Sequence, residues 1–319
     1  MRKPKVLFVD TAHPALAEGL ESMGFECMHF PEARKSDYPG LIGDYEGVVI
    51  RSKIPIDNTL LSQASKLRFI ARVGAGMENI DIEAAASKGI VCLNAPEGNR
   101  DAVGEQALGM LLALLNRLMI ADREVRQGIW QRERNRGYEL GGKTVAIIGF
   151  GNTGSAFARK LSGFDVRILA YDKYKNGFGN DHIEECDMET VFEQADVLSL
   201  HVPLTTETHY LVDRNYIRQF AKPIWLLNTS RGPVVNTTDL ADMIDSGLVR
   251  GACLDVLEYE KFSFEELPSD TFPEAFKKLI ASDRVLLSPH IAGWTHESNL
   301  KMAQVLLRKI ADLYGLFGQ

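Results

Sequence analysis

At 319 residues, with 45% hydrophobic and 25% charged side chains, the chain has room for two folded domains. Its composition is that of an ordinary globular protein, not a disordered, collagen-like or fibrous one. The formal net charge of −7 gives no support to binding of nucleic acid or of anionic membrane, both of which call for basic patches.

The first ten residues, charged and then briefly apolar, read as a strand and not as a signal peptide. Short aliphatic runs at Val6–Val9, Gly47–Ile50, Leu67–Arg72 and Ile90–Leu93 alternate with helical patterns such as Pro14–Met23 and Ile82–Lys88. That alternation predicts a parallel sheet covered on both faces. A long helix is expected over 102–127. Its segment Leu108–Leu115 is apolar all round, so it should be buried on every side, in part against another domain or a second subunit. The longest apolar run, Ala107–Leu115, is far short of the roughly 20 residues that span a bilayer. No membrane partner is expected.

The strand–helix alternation restarts with strands at Thr144–Gly149, Val166–Tyr171, Val197–His201, Ile224–Asn228, Gly251–Val256 and Val285–Leu287. Six strands make a complete doubly wound nucleotide-binding sheet. A last helix, Trp294–Gly318, carries Val305, Leu306, Ile310 and Leu313 on one face and is expected to pack back on the first domain. The reading is α/β: two doubly wound parallel-sheet domains, a flavodoxin-like one over 1–100 plus 290–319 and a Rossmann one over 101–289. The active site is expected in the cleft between them. Cys27, Cys92, Cys186 and Cys253 share no CxxC spacing and have no clustered histidines; they read as reduced thiols of a cytoplasmic protein, without a metal site.

Gly149, Gly151 and Gly154 form G-x-G-x-x-G, enclosing Asn152 and Thr153, directly after an apolar strand and at the opening of a helical stretch. In that context the first glycine permits the tight turn and the second lets backbone approach a pyrophosphate. The third allows helix and strand to pack closely, and the helix N-terminus favours the negative charge. Asp172 ends the next strand, where a carboxylate accepts hydrogen bonds from ribose hydroxyls and repels a 2′-phosphate. The expected cofactor is therefore NAD, with Lys173 and Lys175 leaving room for dual use.

Three loops leave strand ends in the second half: Asn228-Thr-Ser-Arg-Gly-Pro233, Asp255-Val-Leu-Glu-Tyr-Glu260 and Ser288-Pro-His-Ile-Ala-Gly293. Ligands of open parallel sheets bind beyond the carboxyl ends of strands, so one cation, one acid and one imidazole are expected around a single crevice. With Arg72-Val-Gly-Ala-Gly-Met-Glu-Asn-Ile-Asp81, Asn94-Ala-Pro96 and Leu200-His-Val-Pro-Leu-Thr205, these segments resemble the D-isomer-specific 2-hydroxyacid dehydrogenase family over nearly the whole chain.

The resemblance implies Arg231, Glu260 and His290 as the catalytic trio. His290 would exchange the proton of the C2 hydroxyl, Glu260 would orient the imidazole and favour its protonated form, and Arg231 would hold the substrate's carboxylate or carbonyl oxygen. It further implies a carboxylate cradle of backbone amides at Val73, Gly74, Ala75 and Gly76, with Ala75 also placed at the cofactor, and substrate contacts at Arg51 and Ser52. Cofactor contacts would come from His201, Val202, Thr229, Ser230, Asp255 and Gly293. The implied substrate is a small anionic 2-hydroxy or 2-keto acid. We expect 3-phosphoglycerate with 3-phosphohydroxypyruvate, on the strength of Arg132, Arg134, Arg136 and Arg100 as phosphate partners. Reduction of glyoxylate or hydroxypyruvate is the alternative, and a dinucleotide-binding corepressor-like interaction protein is the non-enzymatic one. A homodimer through the 102–127 helix is expected.

Trp294 and His296 follow His290 closely enough to shape the substrate pocket. Two departures from the family stand out: Lys261 where proline is common, and a long connection through 262–282 that predicts a remodelled lip.

Overall fold

The computed structural model describes residues 3–260 and 271–316. The chain divides into two compact units, whose described parts are residues 3–100 with 294–316, and 101–260 with 271–293. The return to the first unit comes at 294, not at the expected 290. The reason is local: the Asp255 carboxylate of the second unit accepts the amides of Ile291 and Ala292 at 2.9 and 2.8 Å and keeps that stretch.

The first unit is built on strands β1 (Lys5–Phe8), β2 (Glu26–His29), β3 (Gly47–Ile50), β4 (Phe69–Arg72) and β5 (Val91–Asn94). All pairings are parallel, in the order β2-β1-β3-β4-β5. Strand period separates two cores. Val6, Phe8, Val49, Phe69 and Ala71 face one side, and Leu7, Val9, Val48, Ile50 and Ile70 the other. Helices α1 (Pro14–Ser22), α2 (Tyr38–Leu41), α3 (Asn58–Leu61) and α4 (Ile82–Ser87) connect the strands. Asp57 and Asp81 accept the third-position amides of α3 and α4, the usual way to satisfy a helix start. Strand β2 was not expected. Glu-Cys-Met-His has no β-branched residue, and as an edge strand it is only half buried.

The single helix expected over 102–127 is two: α5 (Pro96–Leu115) and α6 (Leu118–Arg126), bent by 62°. Arg117 adopts left-handed backbone, φ 54°, and the Tyr138 amide takes the Leu115 carbonyl at 3.0 Å, which ends α5. Nor is α5 buried on every side within this chain. Ala107, Met110, Leu111 and Leu115 are buried, but Leu108, Leu112 and Leu114 are half-buried. Among the described residues no single helix is long and apolar enough to cross a membrane.

The second unit carries β6 (Thr144–Ile148), β7 (Arg167–Tyr171), β8 (Glu184–Glu185), β9 (Val197–Leu200), β10 (Ile224–Asn228), β11 (Val249–Leu254) and β12 (Val285–Leu287). The order is β12-β11-β10-β9-β6-β7-β8, again parallel throughout. Its helices are α7 (Asn152–Leu161), α8 (Met188–Gln194), α9 (Arg214–Ile217), α10 (Thr237–Asp245) and α11 (Glu274–Ala281). The topology reverses between β6 and β9, so the carboxyl ends around that point form the crevice in which such sheets hold ligands. The edge strand β8 is two glutamates and carries no apolar signal; Arg167 binds Glu184 there through two nitrogens, at 2.9 and 2.7 Å. The expected lip at 262–282 lies outside the described residues up to 270, and its later part forms α11.

The last helix, α12 (His296–Leu313), belongs to the first unit. Thr295 caps it by accepting the Ser298 amide at 3.0 Å. Met302, Ala303, Leu306 and Ile310 close the core over Leu16, Leu20 and Phe69, as the spacing of its apolar residues predicts.

Candidate active site

Strand β6 runs straight into the glycine loop. Gly149 has φ +91°, and a Cβ there would lie 2.5 Å from the His201 carbonyl oxygen; one on Gly154 would lie 2.1 Å from the Gly149 carbonyl oxygen. Both glycines are therefore required by close backbone approach. Gly151 is different: no described atom stands within 4 Å of the place a Cβ would take. The chain leaves that space open at the N-terminal end of α7, a ten-residue helix whose first amides are suited to an anion.

Asp172 faces this loop. One carboxylate oxygen accepts the Phe150 amide at 2.8 Å, and the other accepts the amides of Tyr174 and Lys175 at 2.9 and 3.1 Å. Three of about four lone-pair sites are used, so the carboxylate both fixes the loop and keeps capacity for a hydroxyl. Thr229, just past β10, has a buried hydroxyl with no hydrogen-bond partner among the described residues. A buried polar atom left this way can take a hydrogen bond from a bound group. Open space at Gly151, the residual capacity of Asp172 and the orphaned Thr229 hydroxyl together fit a bound dinucleotide.

The side chains of four expected cofactor contacts have partners within the chain. The His201 ring, 8% exposed, meets Ser199 Oγ at 2.8 Å and Thr153 Oγ1 at 3.3 Å, and burial drops its pKa to about 3. It is a neutral strut: its ring braces Thr153 of the glycine loop and its carbonyl packs against Gly149. The Thr153 hydroxyl meets that ring and keeps further hydrogen-bonding capacity. Ser230 donates its hydroxyl to Asn228 Oδ1 at 2.8 Å. Asp255, 1% exposed, accepts Ser288 Oγ at 2.5 Å as well as the two amides named above. It is a clamp on the 288–292 loop.

That clamp sets the imidazole. His290 has left-handed backbone, φ 56°, uncommon for a bulky side chain and held here by its amide donating to the Asp255 carbonyl at 2.7 Å. Its Nδ1 lies 2.7 Å from Glu260 Oε2. Glu260 Oε1 accepts the Leu257 amide, so the carboxylate is fixed at both oxygens. The loop with Arg231 lies beneath: a Cβ on Gly232 would come within 2.0 Å of the Leu257 carbonyl, so only glycine lets the two loops meet. Asn228 Nδ2 donates to the Arg231 carbonyl at 2.9 Å, and Arg231 Nη1 to the Ser230 carbonyl at 2.6 Å.

In the first unit, Asp10 Oδ2 accepts the amides of Arg51, Ser52 and Lys53 at 2.6, 3.1 and 3.2 Å. The Arg51 guanidinium carbon lies over the Trp294 ring, 3.6 Å from its centroid. The expected amide cradle is narrower than the sequence implies. Val73 donates to the Ile50 carbonyl and Gly74 to the Arg72 carbonyl, each at 2.9 Å. Among the described residues, no acceptor meets the amides of Ala75 and Gly76. No sequence signal marked the Asp10 clamp, which joins residues 41 to 43 positions apart.

Two of the four arginines expected to meet a phosphate are engaged. Arg134 pairs with Glu124 and Asp283, at 3.5 and 3.4 Å, and Arg136 with Glu133 at 2.8 Å.

A sequence profile of the D-isomer specific 2-hydroxyacid dehydrogenase NAD-binding domain matches residues 108–292. The chain is 33% identical over 282 residues to the hydroxypyruvate reductase of Thermotoga maritima, covering 88% of this chain and 89% of that protein. It is 35% identical over 271 residues to the D-3-phosphoglycerate dehydrogenase of Archaeoglobus fulgidus, covering 84% of this chain and 49% of that protein, so it spans about half of that relative's length. Among solved structures, a Thermus thermophilus protein aligns with a TM-score of 0.83 at 27% identity, over 98% of this chain and 97% of that one.

Proposed function

We propose that this chain, which belongs to the D-isomer specific 2-hydroxyacid dehydrogenase family of NAD-dependent oxidoreductases acting on CH–OH groups, interconverts hydroxypyruvate or glyoxylate and the matching 2-hydroxy acid. The observation that carries the reading is the Glu260–His290 pair at 2.7 Å in a loop whose backbone is clamped. The unphosphorylated keto acids come first for two reasons. Arg134 and Arg136 are already ion-paired, and the hydroxypyruvate reductase is matched over nearly its full length. The phosphorylated pair, 3-phosphoglycerate and 3-phosphohydroxypyruvate, is the second reading; the match to the A. fulgidus enzyme favours it.

NAD, when bound, accepts or supplies the hydride at the substrate's C2. Gly149, Gly151, Gly154 and Asp172 would hold it, with the Thr229 hydroxyl as a further partner. His290, fixed through Nδ1 by Glu260, holds a proton at Nε2 and gives it to the C2 oxygen in reduction, or takes it in oxidation. Glu260 keeps the ring oriented and favours its charged form. Arg231 supplies the cation for the C2 oxygen or the carboxylate. Within the first unit, the amides of Ala75 and Gly76 are suited to a carboxylate, and Arg51 and Ser52 follow a strand end of the same sheet.

The test is NADH oxidation with glyoxylate, hydroxypyruvate and 3-phosphohydroxypyruvate, beside His290→Ala. Expected are turnover of the first two and a loss of about 10²- to 10⁴-fold in the variant. A kcat/KM at least tenfold higher for the phosphorylated acid would reverse the substrate order. Tight NADH binding with no turnover of any acid would leave a nucleotide-binding interaction protein.

We further propose a homodimer. Leu118, Met119 and Trp130 are 54%, 63% and 71% exposed on α6 and the segment after it, large apolar side chains that a second copy would cover. Sedimentation giving a monomer at micromolar concentration would refute this.

A further inference from the structure

Glu258 stands two residues before Glu260 and joins three parts of the second unit. Its Oε1 accepts the Tyr210 hydroxyl, and its Oε2 accepts the Thr237 amide, the first of α10, at 3.1 Å. A carboxylate at a helix start is favourably placed against both the open amide and the helix dipole. Tyr210 reaches it from the loop after β9 with left-handed backbone, φ 52°, an unusual state for an aromatic residue that persists only where its surroundings over-determine it. Its own amide is taken by the Pro233 carbonyl at 2.8 Å, in the loop that follows Arg231. Through Glu258, then, the acid-bearing loop is tied to the arginine-bearing loop and to α10. Leu257, whose amide holds Glu260 Oε1, is the adjacent residue.

We infer that Glu258, buttressed by Tyr210, is a positioning residue that fixes the Glu260 carboxylate against His290, so that these two side chains set kcat without touching substrate or cofactor. The inference rests on the catalytic reading of Glu260 and His290. Removing either support lets the 257–260 turn relax, and the carboxylate loses its aim on Nδ1.

The test compares Tyr210→Phe, Glu258→Ala and Glu258→Gln with Glu260→Gln and His290→Ala in the full chain, by steady-state kinetics, NADH titration and thermal unfolding. Tyr210→Phe and Glu258→Ala should lower kcat roughly 5- to 20-fold, while KM for the keto acid and Kd for NADH stay within about 2-fold. Glu258→Gln retains an oxygen for the Thr237 amide and should recover most of the loss. A variant combining Tyr210→Phe with Glu258→Ala should be no worse than Glu258→Ala alone, because both act through one chain of contacts. Wild-type kcat in the folded Tyr210→Phe and Glu258→Ala proteins, or a loss confined to KM or to thermal stability, would overturn the assignment while Glu260→Gln and His290→Ala remain inactive. Full activity in those last two would instead refute the catalytic reading, and the inference would fall with it.

Discussion

Two loops on different sheets are tied down in the same way, by an aspartate at the end of the neighbouring parallel strand. Asp10, after β1, gathers the amides of residues 51–53 as they leave β3; Asp255, after β11, gathers those of residues 291 and 292 beyond β12. The loads differ. Asp10 uses one oxygen and holds a loop whose Arg51 lies on an indole, with no carboxylate at ion-pair distance among the described residues. Asp255 uses both oxygens, is shut off from solvent, and holds an imidazole that faces a carboxylate. One loop keeps a cation uncommitted, which suits holding an anion; the other pre-pairs a base with an acid, which suits moving a proton.

Substituting each aspartate should separate those two tasks. Asp255→Asn keeps one acceptor but loses the charge on three donors. Hydrogen bonds to a charged group contribute about 1.5–3 kcal/mol, so kcat should fall roughly ten- to a hundredfold if that much is lost where the proton moves. Asp10→Asn should act mainly on KM for the keto acid, by roughly 3- to 10-fold, with kcat nearly unchanged. Matching effects of both substitutions on kcat would show that the loops do not divide the work.

The contrast also marks what could be read from the sequence. The glycine loop could be anticipated because its motif follows a predicted strand and the local chain dictates its geometry, and the Glu260–His290 contact because the family resemblance pairs those two loops. Asp10, Tyr210 and Glu258 could not, because their partners come from distant segments and no spacing rule links them. His201 was placed at the cofactor by the family resemblance; the ring turns inward because Ser199, two residues earlier on the same face, and Thr153, from α7, offer it both hydrogen bonds. The α5–α6 break lacked a glycine or proline to announce it. What ends α5 is a contact from Tyr138, on a segment about twenty residues further on.

A smaller effect is expected at Thr229, whose buried hydroxyl meets no partner among the described residues. Thr229→Val keeps the shape and removes the polar atom. An unpaired buried hydroxyl costs stability, so the variant should unfold at the same temperature or slightly higher without nucleotide. If the dinucleotide supplies the missing partner, Kd for NADH should rise by roughly 3- to 10-fold, near the net worth of one hydrogen bond. Unchanged NADH affinity in isothermal titration would show that the hydroxyl has no such partner.

The smallest effect concerns stability alone. His201 stays neutral in the folded chain down to about pH 3, because burial penalises its charged form, whereas in the unfolded chain it titrates near its ordinary 6.5. Between those values the unfolded state binds a proton that the folded state refuses. The stabilisation is therefore complete above about pH 6.5 and is lost as the pH falls towards 3, at about 1.4 kcal/mol per pH unit. His201→Gln keeps polar atoms for Ser199 and Thr153 but cannot take up the proton. Between pH values of about 7.5 and 5.5, urea unfolding of the wild type should lose about 1.4 kcal/mol more than the variant does. Equal losses would mean that the ring accepts a proton while folded. That would return His201 from a strut of the glycine loop to a titrating group of the crevice, and weaken the distinction between the loops that hold and the loop that moves a proton.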